Sequence, residues 1–189
     1  MIKEIVMKNR SYRRFRENKK IDSHVLTELI ELARYTPSSV NFQPLKFKAV
    51  NDAENNFKIF ETLSWAGLLK DWSGPEEGER PSAYIIILTD LSVAKNMKID
   101  VGIVAQTIML GAAEKGLGGC MLGSIKREML AESLGINLEK YSIDLVLALG
   151  DPAEEVRIVD LPENGATAYY RDENDVHCVP KRKLGDLII

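Results

Sequence analysis

Apolar side chains recur along the chain with two different periods, and the longer period predicts helices. In residues 21–37, IDSHVLTELIELARYTP, apolar positions return every three to four residues, which is typical of an amphipathic helix. Asp22 or Ser23 would accept hydrogen bonds from the free N–H groups of its first turn, and Pro37 would end it. Further helices are predicted over residues 2–9, 57–69 and 125–135.

The shorter period predicts strands. Residues 45–50, LKFKAV, alternate apolar and charged side chains, as a half-buried strand does. Residues 82–90 form an apolar run rich in β-branched side chains, and residues 143–150 form a second apolar run, which favours buried strands. Residues 120–124 are a shorter strand-like run. Because helices alternate with these strands, the pattern predicts an α/β or α+β domain in which helices pack on one sheet.

One predicted helix is apolar at nearly every position. Residues 100–118, DVGIVAQTIMLGAAEKGLG, have no continuous polar face, and Gly116 or Gly118 would end the helix. A helix of this kind is expected to be buried on all sides, which in a chain of 189 residues favours a subunit interface. The polar segments that contain Gly or Pro, residues 37–44 and 70–81, are predicted to be loops.

Length and composition suit one domain over residues 1–189, with 45% apolar and 28% charged residues. No apolar run approaches the roughly 20 residues of a membrane span, and the first ten residues do not resemble a signal peptide, so a cytoplasmic protein is expected. Neither metal-site spacing nor a disulfide framework is present, so packing or surface roles are expected for the cysteines and histidines: Cys120, Cys178, His24 and His177.

Charge is concentrated at the two ends of the chain. Residues 1–20 hold eight basic and two acidic side chains, and residues 181–189 hold three basic and one acidic, whereas the whole chain has a formal charge of −3. An acidic body with two basic ends suits capture of a specific anion better than a broad nucleic-acid surface.

The basic segment near the start suggests what the anion is. Arg10 and Arg13 flank Ser11, and two planar guanidinium groups with a hydroxyl donor between them suit a phosphate monoester. By itself the segment favours a solvated charged surface over a phosphate site. A nucleic-acid-binding arm is a third interpretation, which the acidic body and the few aromatic residues disfavour.

A second polar cluster lies between two prolines. Its compact side chains would reach a ligand's carbonyls, ring nitrogens or hydroxyls, although an ordinary turn has the same composition. The cluster consists of Ser38, Ser39, Asn41 and Gln43. Residues 116–121, GLGGCM, resemble a dinucleotide-binding loop only superficially, because they follow a helix and Met121 stands where the third glycine belongs.

Five segments, in order along the chain, resemble the nitroreductase family of flavin enzymes. The most specific is ARYTPSSVNFQPLKFKAV at 33–50, which resembles the family's A-x-x-x-P-S-x-x-N-x-Q-P-W-x-F segment. DVGIVAQTIMLGAAEKGLGGCMLGSI at 100–125 resembles its long interface helix and the following glycine turn. The other three are RSYRRF at 10–15, LVLALGDPAEE at 145–155 and VPKRKLGDLI at 179–188. Together they cover nearly the whole chain.

The resemblance implies an α+β nitroreductase-like fold: a central, mostly antiparallel sheet flanked by helices, in an intertwined homodimer. FMN would lie at the dimer interface, with residues of both chains around it. The implied phosphate-binding residues are Arg10, Ser11, Arg13, Lys181 and Arg182. Those implied at the flavin ring and ribityl chain are Pro37, Ser38, Ser39, Asn41 and Gln43, and the backbone of Met121, Leu122 and Gly123 would face the reactive N5 edge.

The implied activity is an FMN-dependent oxidoreductase. Hydride would pass from NAD(P)H through flavin N5 to an oxidised acceptor such as a nitroaromatic or a quinone, by a ping-pong mechanism. Because the flavin carries the hydride, no catalytic side chain and no metal are expected. Arg13 is the expected basic residue near flavin N1 and O2. Neither nucleic acid nor a membrane is an expected partner.

Two departures from the family pattern leave the substrate open. Leu45 stands where the family commonly has Trp, and residues 65–80 have no clear counterpart in the region that usually shapes the substrate pocket. The acceptor and the choice between NADH and NADPH therefore stay open. The alternatives are a flavoprotein of the same fold with different chemistry, such as dehalogenation or flavin destruction, a non-catalytic FMN-binding protein, and a nucleic-acid-binding module.

Overall fold

The computed structural model describes residues 1–69 and 71–189 of the chain. Its centre is a four-stranded antiparallel sheet with the strand order β1-β2-β4-β3. The strands are β1 (Leu45–Val50), β2 (Ala83–Asp90), β3 (Gly118–Leu122) and β4 (Tyr141–Gly150). All four predicted strands are confirmed, with ends that differ by a few residues.

The inner strand β2 is covered on both faces. Ile85 and Ile87 belong to one apolar cluster, whereas Tyr84 and Ile86 belong to another. Because successive side chains of a strand point to opposite faces, a strand in this position needs apolar residues throughout, which explains the uninterrupted run in the sequence.

Helices cover the two faces of the sheet. The first cluster includes residues of α2 and α4, and the second includes residues of α3 and α5. The helices are α1 (Ile2–Lys8), α2 (Ser23–Arg34), α3 (Ala53–Phe60), α4 (Lys98–Glu114) and α5 (Arg127–Leu134), with short 3-10 turns at Ser39–Asn41 and Leu184–Asp186. Among the described residues, none of the helices has the length and apolarity that crossing a bilayer requires.

The helix predicted over residues 57–69 is wrong at both ends. Asp52 caps the first turn of α3 by accepting a hydrogen bond from the backbone of Asn55, so the helix begins earlier. It ends at Phe60, and soon after it Leu63 pairs with Ile125 in an isolated β-bridge. The buried apolar residues Leu63 and Trp65 therefore enter the core from an irregular segment, and tertiary pairing overrides the helical period. Lys70, in the predicted loop 70–81, lies outside the described residues.

Helix α4 is buried along one side only in the single protomer. Val104 and Ile108 pack in the first cluster, whereas Gln106 is exposed and Ile99 is 76% exposed. Burial on all sides, which the sequence predicts, would therefore require a second chain, and the subunit interface stays a prediction.

A second, smaller sheet was not predicted from the sequence. It has the order β5-β7-β6, in which β5 and β7 are parallel. Its strands are β5 (Val156–Asp160), β6 (Tyr170–Arg171) and β7 (His177–Lys181). These segments are short and mix charged with apolar residues, so they lack the alternation that identifies a strand. The sheet matters for function because β7 brings the end of the chain beside the basic segment at its start.

Candidate functional site

The two basic ends of the chain meet around one cavity of about 330 Å³, called here the cation-lined cavity. Arg10 and Arg13 come from the first segment and Lys181 from β7. Among the described residues, no Asp or Glu lines it. The full lining is Asn9, Arg10, Ser11, Arg13, Gln106, Met109, Met121, Tyr169, His177, Val179 and Lys181. The cavity is therefore suited to an anion.

The basic segment is fixed by pairing with β3 and with the chain that follows β4. Ser11 forms a parallel bridge with Gly119, and Phe15 pairs with Pro152. These approaches are close enough to require glycine: a Cβ on Gly118 would lie 2.5 Å from a ring carbon of Tyr12. Gly118, one of the glycines that resembled a dinucleotide-binding loop, therefore serves to admit the basic segment.

A buried carboxylate also fixes the backbone of the basic segment. Glu154, with a side chain only 2% exposed, accepts hydrogen bonds from the backbone N–H groups of Arg13 and Arg14. Its second oxygen accepts a hydrogen bond of 2.7 Å from the guanidinium of Arg171. The carboxylate fixes the backbone that presents Arg13 to the cavity, and its own charge is paired with Arg171.

Arg13 is oriented by two aromatic neighbours. Its NH1 group donates to the backbone oxygen of Ser11 at 3.2 Å and lies 3.0 Å from Nε2 of His177. The guanidinium carbon lies 4.6 Å from the centre of the Tyr169 ring, within the range of a cation–π contact. Arg13 is only 8% exposed, so its position is set before any ligand binds.

His177 accepts this hydrogen bond because it is neutral. Burial, reinforced by the positive charge of Arg13, lowers the pKa of His177 from 6.5 to about 4. With Nε2 accepting from Arg13, the proton of the neutral ring lies on Nδ1, and this buried atom has no hydrogen-bond partner. His177 therefore orients the Arg13 guanidinium as a neutral hydrogen-bond acceptor, while its Nδ1–H remains unpaired among the described residues.

Five of the sequence-predicted site residues line this cavity, and three others lie nearby in the chain without lining it. The lining residues are Arg10, Ser11, Arg13, Met121 and Lys181. Leu122 is buried in the second apolar cluster, whereas Gly123 and Arg182 are exposed.

Three of the five remaining predicted residues line a different cavity of about 310 Å³, called here the loop cavity, whereas Ser39 and Asn41 line neither cavity. Pro37, Ser38 and Gln43 line it together with Asp100 of α4. The two cavities share no lining residue, although α4 contributes to both. Within one protomer, the structure therefore does not bring the loop and the basic residues together.

Asp100 anchors the loop. Its carboxylate accepts hydrogen bonds from the Ser38 hydroxyl at 2.6 Å, the Ser39 hydroxyl at 2.9 Å and the Ser39 backbone N–H at 3.1 Å. Burial alone would raise the pKa of Asp100, but these hydrogen bonds outweigh it and lower the pKa from 3.8. Beyond Ser39 the backbone is strained, since Val40, Asn41 and Gln43 have φ of 51°, 57° and 50°.

Six residues that line the cation-lined cavity were not predicted from the sequence: Asn9, Gln106, Met109, Tyr169, His177 and Val179. A signal existed for His177. Its side chain shares one face of β7 with Val179 and Lys181, at the strand period of two. Assigning residues 177–181 to a strand would have placed His177 beside Lys181, but the second sheet was not predicted.

A family model, described as the Nitroreductase family, matches residues 6–151. The chain belongs to the Nitroreductase family. The match includes the basic segment, the loop and α4 and ends before β7, so Lys181 and His177 of this nitroreductase-family protein lie outside it.

Proteins of similar sequence or structure align with most of this chain. A Bacillus subtilis (strain 168) protein named as an NAD(P)H nitroreductase, YdgI, is 26% identical over 185 residues, which is 80% of this chain and 88% of the relative. A Desulfovibrio desulfuricans structure described as a nitroreductase in complex with FMN has a TM-score of 0.72 at 18% identity, covering 100% of this chain and 95% of that one.

A second solved structure gives the same result. An Exiguobacterium sibiricum 255-15 protein, described as a nitroreductase in complex with FMN, has a TM-score of 0.70 at 22% identity and covers 87% of this chain and 94% of that one. At such identities the likeness concerns the fold, and the predicted α+β nitroreductase-like fold with its antiparallel sheet and flanking helices is confirmed.

Proposed function

We propose that this protein is an FMN-dependent oxidoreductase that uses NAD(P)H to reduce an oxidised acceptor such as a nitroaromatic or a quinone. The observation that carries the proposal is the cation-lined cavity, where Arg10, Arg13 and Lys181 surround a space that no described acidic residue lines. Membership of the Nitroreductase family, the name of the Bacillus subtilis relative and the FMN complexes of two proteins with this fold support it.

The donors of this cavity fit the phosphate of FMN. Among the described residues, none of the three cations forms an ion pair with a carboxylate. Arg10 also keeps a buried Nε without a partner, although its NH2 group donates to the backbone oxygen of Val6 at 2.7 Å. Cations left unpaired near a buried donor suit a dianionic ligand, because charge-assisted hydrogen bonds to phosphate would satisfy them together.

Each predicted residue then has a proposed role. Arg10, Ser11, Lys181 and the neighbouring Arg182 bind the phosphate, while Arg13, held by His177, supplies a fixed positive charge to the flavin's anionic side. When bound, FMN supplies the redox chemistry, hydride transfer from NAD(P)H to the acceptor. Since both ends of the chain contribute to the cavity, we propose one FMN-binding domain over residues 1–189.

The loop residues are proposed to act in a homodimer, at the cavity of the partner chain. In one protomer Pro37, Ser38 and Gln43 line a different cavity, and the loop presents Val40 and Phe42 outward, 83% and 53% exposed. Ile99 of α4 and the end of the chain, where Leu187 is 63% exposed, add apolar surface that a second chain would cover. Pro37, Ser38, Ser39, Asn41 and Gln43 would then contact the flavin from the second chain, opposite the backbone of Met121, Leu122 and Gly123.

The phosphate assignment is tested by comparing FMN with riboflavin, which lacks the phosphate. Flavin-free protein is titrated with each flavin by fluorescence quenching. We expect FMN to bind at least about tenfold more tightly, since one charge-assisted hydrogen bond accounts for about that factor. Equal affinities would show that the cation-lined cavity does not hold the phosphate.

Turnover is tested separately with the loaded protein. We expect NADH or NADPH to bleach the flavin under anaerobic conditions, and a nitroaromatic or a quinone to restore its absorption. A bound flavin that neither nucleotide reduces would instead favour the non-catalytic FMN-binding protein.

A further inference from the structure

A third cavity, of about 90 Å³, lies apart from both cavities described above. It is bounded by the start of α3, by the start of β2 and by the end of the basic segment, and it shares no residue with the cation-lined cavity. We call it the Tyr84 cavity. Its lining is Glu17, Lys20, Asn51, Ala53, Asn56, Phe57, Phe60, Arg80, Pro81, Ser82 and Tyr84.

The Tyr84 cavity is unusual for its unused polar atoms. Four buried side-chain atoms of its lining have no hydrogen-bond partner: Oη of Tyr84, Oγ of Ser82, Nε of Arg80 and Oδ1 of Asn56. Tyr84 is 0% exposed and Ser82 is 5% exposed. Buried polar groups are ordinarily paired, so four unpaired atoms around one small space indicate a polar occupant.

Three of these four atoms can donate. The guanidinium Nε–H is always a donor, and burial raises the pKa of Tyr84, which keeps its hydroxyl protonated. The Ser82 hydroxyl is free to turn its proton toward the cavity. Asn56 differs, because its Nδ2 donates to the backbone oxygen of Ser82 at 2.8 Å, which leaves its Oδ1 as an acceptor.

The charges of the lining favour an anion. Among the described residues, neither Lys20 nor Arg80 forms an ion pair. The one acidic lining residue, Glu17, already accepts a hydrogen bond from the backbone of Gly78 at 2.6 Å. The Arg80 guanidinium lies 4.6 Å from the centre of the Phe60 ring, so the aromatic contact supports its plane and leaves its N–H edge available.

We propose that the Tyr84 cavity binds a small hydroxycarboxylate of about the size of glycolate. The carboxylate accepts hydrogen bonds from Tyr84, Ser82 and Arg80, and the hydroxyl of the ligand donates to Asn56. The volume of about 90 Å³, against about 310 Å³ and 330 Å³ for the other two cavities, suits a ligand of a few non-hydrogen atoms.

Thermal unfolding of the whole protein in increasing sodium glycolate tests the proposal, with sodium chloride at equal ionic strength as reference. We expect a saturable rise of the unfolding temperature with glycolate. In Tyr84→Phe, which keeps the ring but removes one donor, the midpoint of that response should move to at least about tenfold higher glycolate. Tyr141→Phe, a change on the same sheet away from the cavity, should leave the midpoint where it is.

Three results would overturn the proposal. They are no saturable response beyond that of chloride, an unchanged midpoint in Tyr84→Phe, or a high-resolution structure grown in glycolate that shows only water between Tyr84 and Arg80. If Tyr84→Phe fails to fold, Ser82→Ala takes its place with the same expectation. FMN affinity is measured alongside and should not change in these variants, because neither residue lines the cation-lined cavity.

Discussion

The cation-lined cavity and the loop of residues 37–43 are held by the fold in different ways. The cavity wall is fixed by contacts between distant parts of the chain, since Glu154 binds the backbone of Arg13 and His177 contacts its side chain. The loop is anchored at Asp100, and the residues that follow the anchor are strained and project outward. The first region is held by contacts between distant segments, whereas the second is presented to the outside.

We propose that this difference reflects a division of roles between two copies of the chain. The cavity has the charges for a phosphate, whereas the loop has compact polar side chains suited to a flavin ring and ribityl chain. Strained backbone persists where surrounding contacts impose it, and here Asp100 imposes it through Ser38 and Ser39. We therefore propose that each protomer contributes its cation-lined cavity to one flavin site of a dimer and its loop to the other.

The largest effect is expected when Glu154, which fixes the wall of the cation-lined cavity, is replaced. Glu154→Ala leaves Arg171 without its buried partner and two backbone N–H groups without an acceptor, so the free energy of unfolding should fall by about 3 kcal/mol or more. FMN affinity should fall with it. The measurement is chemical denaturation followed by flavin titration.

The neighbouring residue provides the control for this variant. Glu155→Ala removes an exposed ion pair with Arg157 and should change the free energy of unfolding by less than about 1 kcal/mol. Equal effects of the two substitutions would mean that Glu154 does not hold the cavity wall.

The next effect concerns binding. Arg10→Ala should weaken FMN binding by about 2 kcal/mol, close to thirtyfold, because it removes a charge-assisted hydrogen bond to the phosphate. The affinity for riboflavin should stay the same. Lys183→Ala is the control, since this lysine is exposed and does not line the cavity. An equal loss for FMN and riboflavin would contradict the assignment of Arg10 to the phosphate.

A smaller effect is expected when the loop of residues 37–43 loses its anchor at Asp100. Asp100→Asn should lower the free energy of unfolding by about 1.5 kcal/mol, because Ser38 and Ser39 lose a charged acceptor. It should also weaken dimerisation, measured by analytical ultracentrifugation. Asp52→Asn is the control, since Asp52 likewise accepts hydrogen bonds from a backbone N–H and a side chain, both of Asn55, and lines neither cavity. A dimer weakened equally by both changes would show that the loop has no special part in the interface.

The smallest effect depends on pH. His177 has a pKa of about 4 in the folded chain against an ordinary value of 6.5, so the unfolded chain binds a proton that the folded chain does not. Stability is therefore complete well above pH 6.5 and is lost as the pH falls toward 4, by about 0.8 kcal/mol at pH 6. His177→Gln should reduce this slope, whereas His24→Gln, an exposed change, should keep it. An unchanged slope in His177→Gln would show that Arg13 and burial do not hold the ring neutral.

Patterns within one segment predicted most of the fold. The central strands were found because their side chains repeat with period two or are apolar throughout, and α2 because of its single apolar face. The helix over 57–69 was misplaced because a bridge between Leu63 and Ile125 depends on residues that are distant in sequence. The second sheet was not predicted for the same reason: its short strands are stabilised by pairing with one another, which a pattern within one segment does not show.

The site residues likewise divide into those that a local pattern predicts and those that depend on distant contacts. Arg10, Ser11, Arg13 and Lys181 were found because charge and a family motif are visible in the sequence itself. A packing or surface role was expected for His177, and its contact with Arg13 joins residues that are 164 positions apart. No local pattern encodes such a contact.

A mixed dimer tests the central claim most directly. One chain carries Arg10→Ala with Lys181→Ala, the other carries Asn41→Ala with Gln43→Ala, and differently tagged chains are co-expressed and purified as the heterodimer. Each homodimer should lose most of its FMN. The heterodimer should regain about one FMN per dimer at near wild-type affinity, because one of its sites combines the intact cavity of one chain with the intact loop of the other. A heterodimer that binds no FMN, or a chain that stays monomeric, would contradict the account.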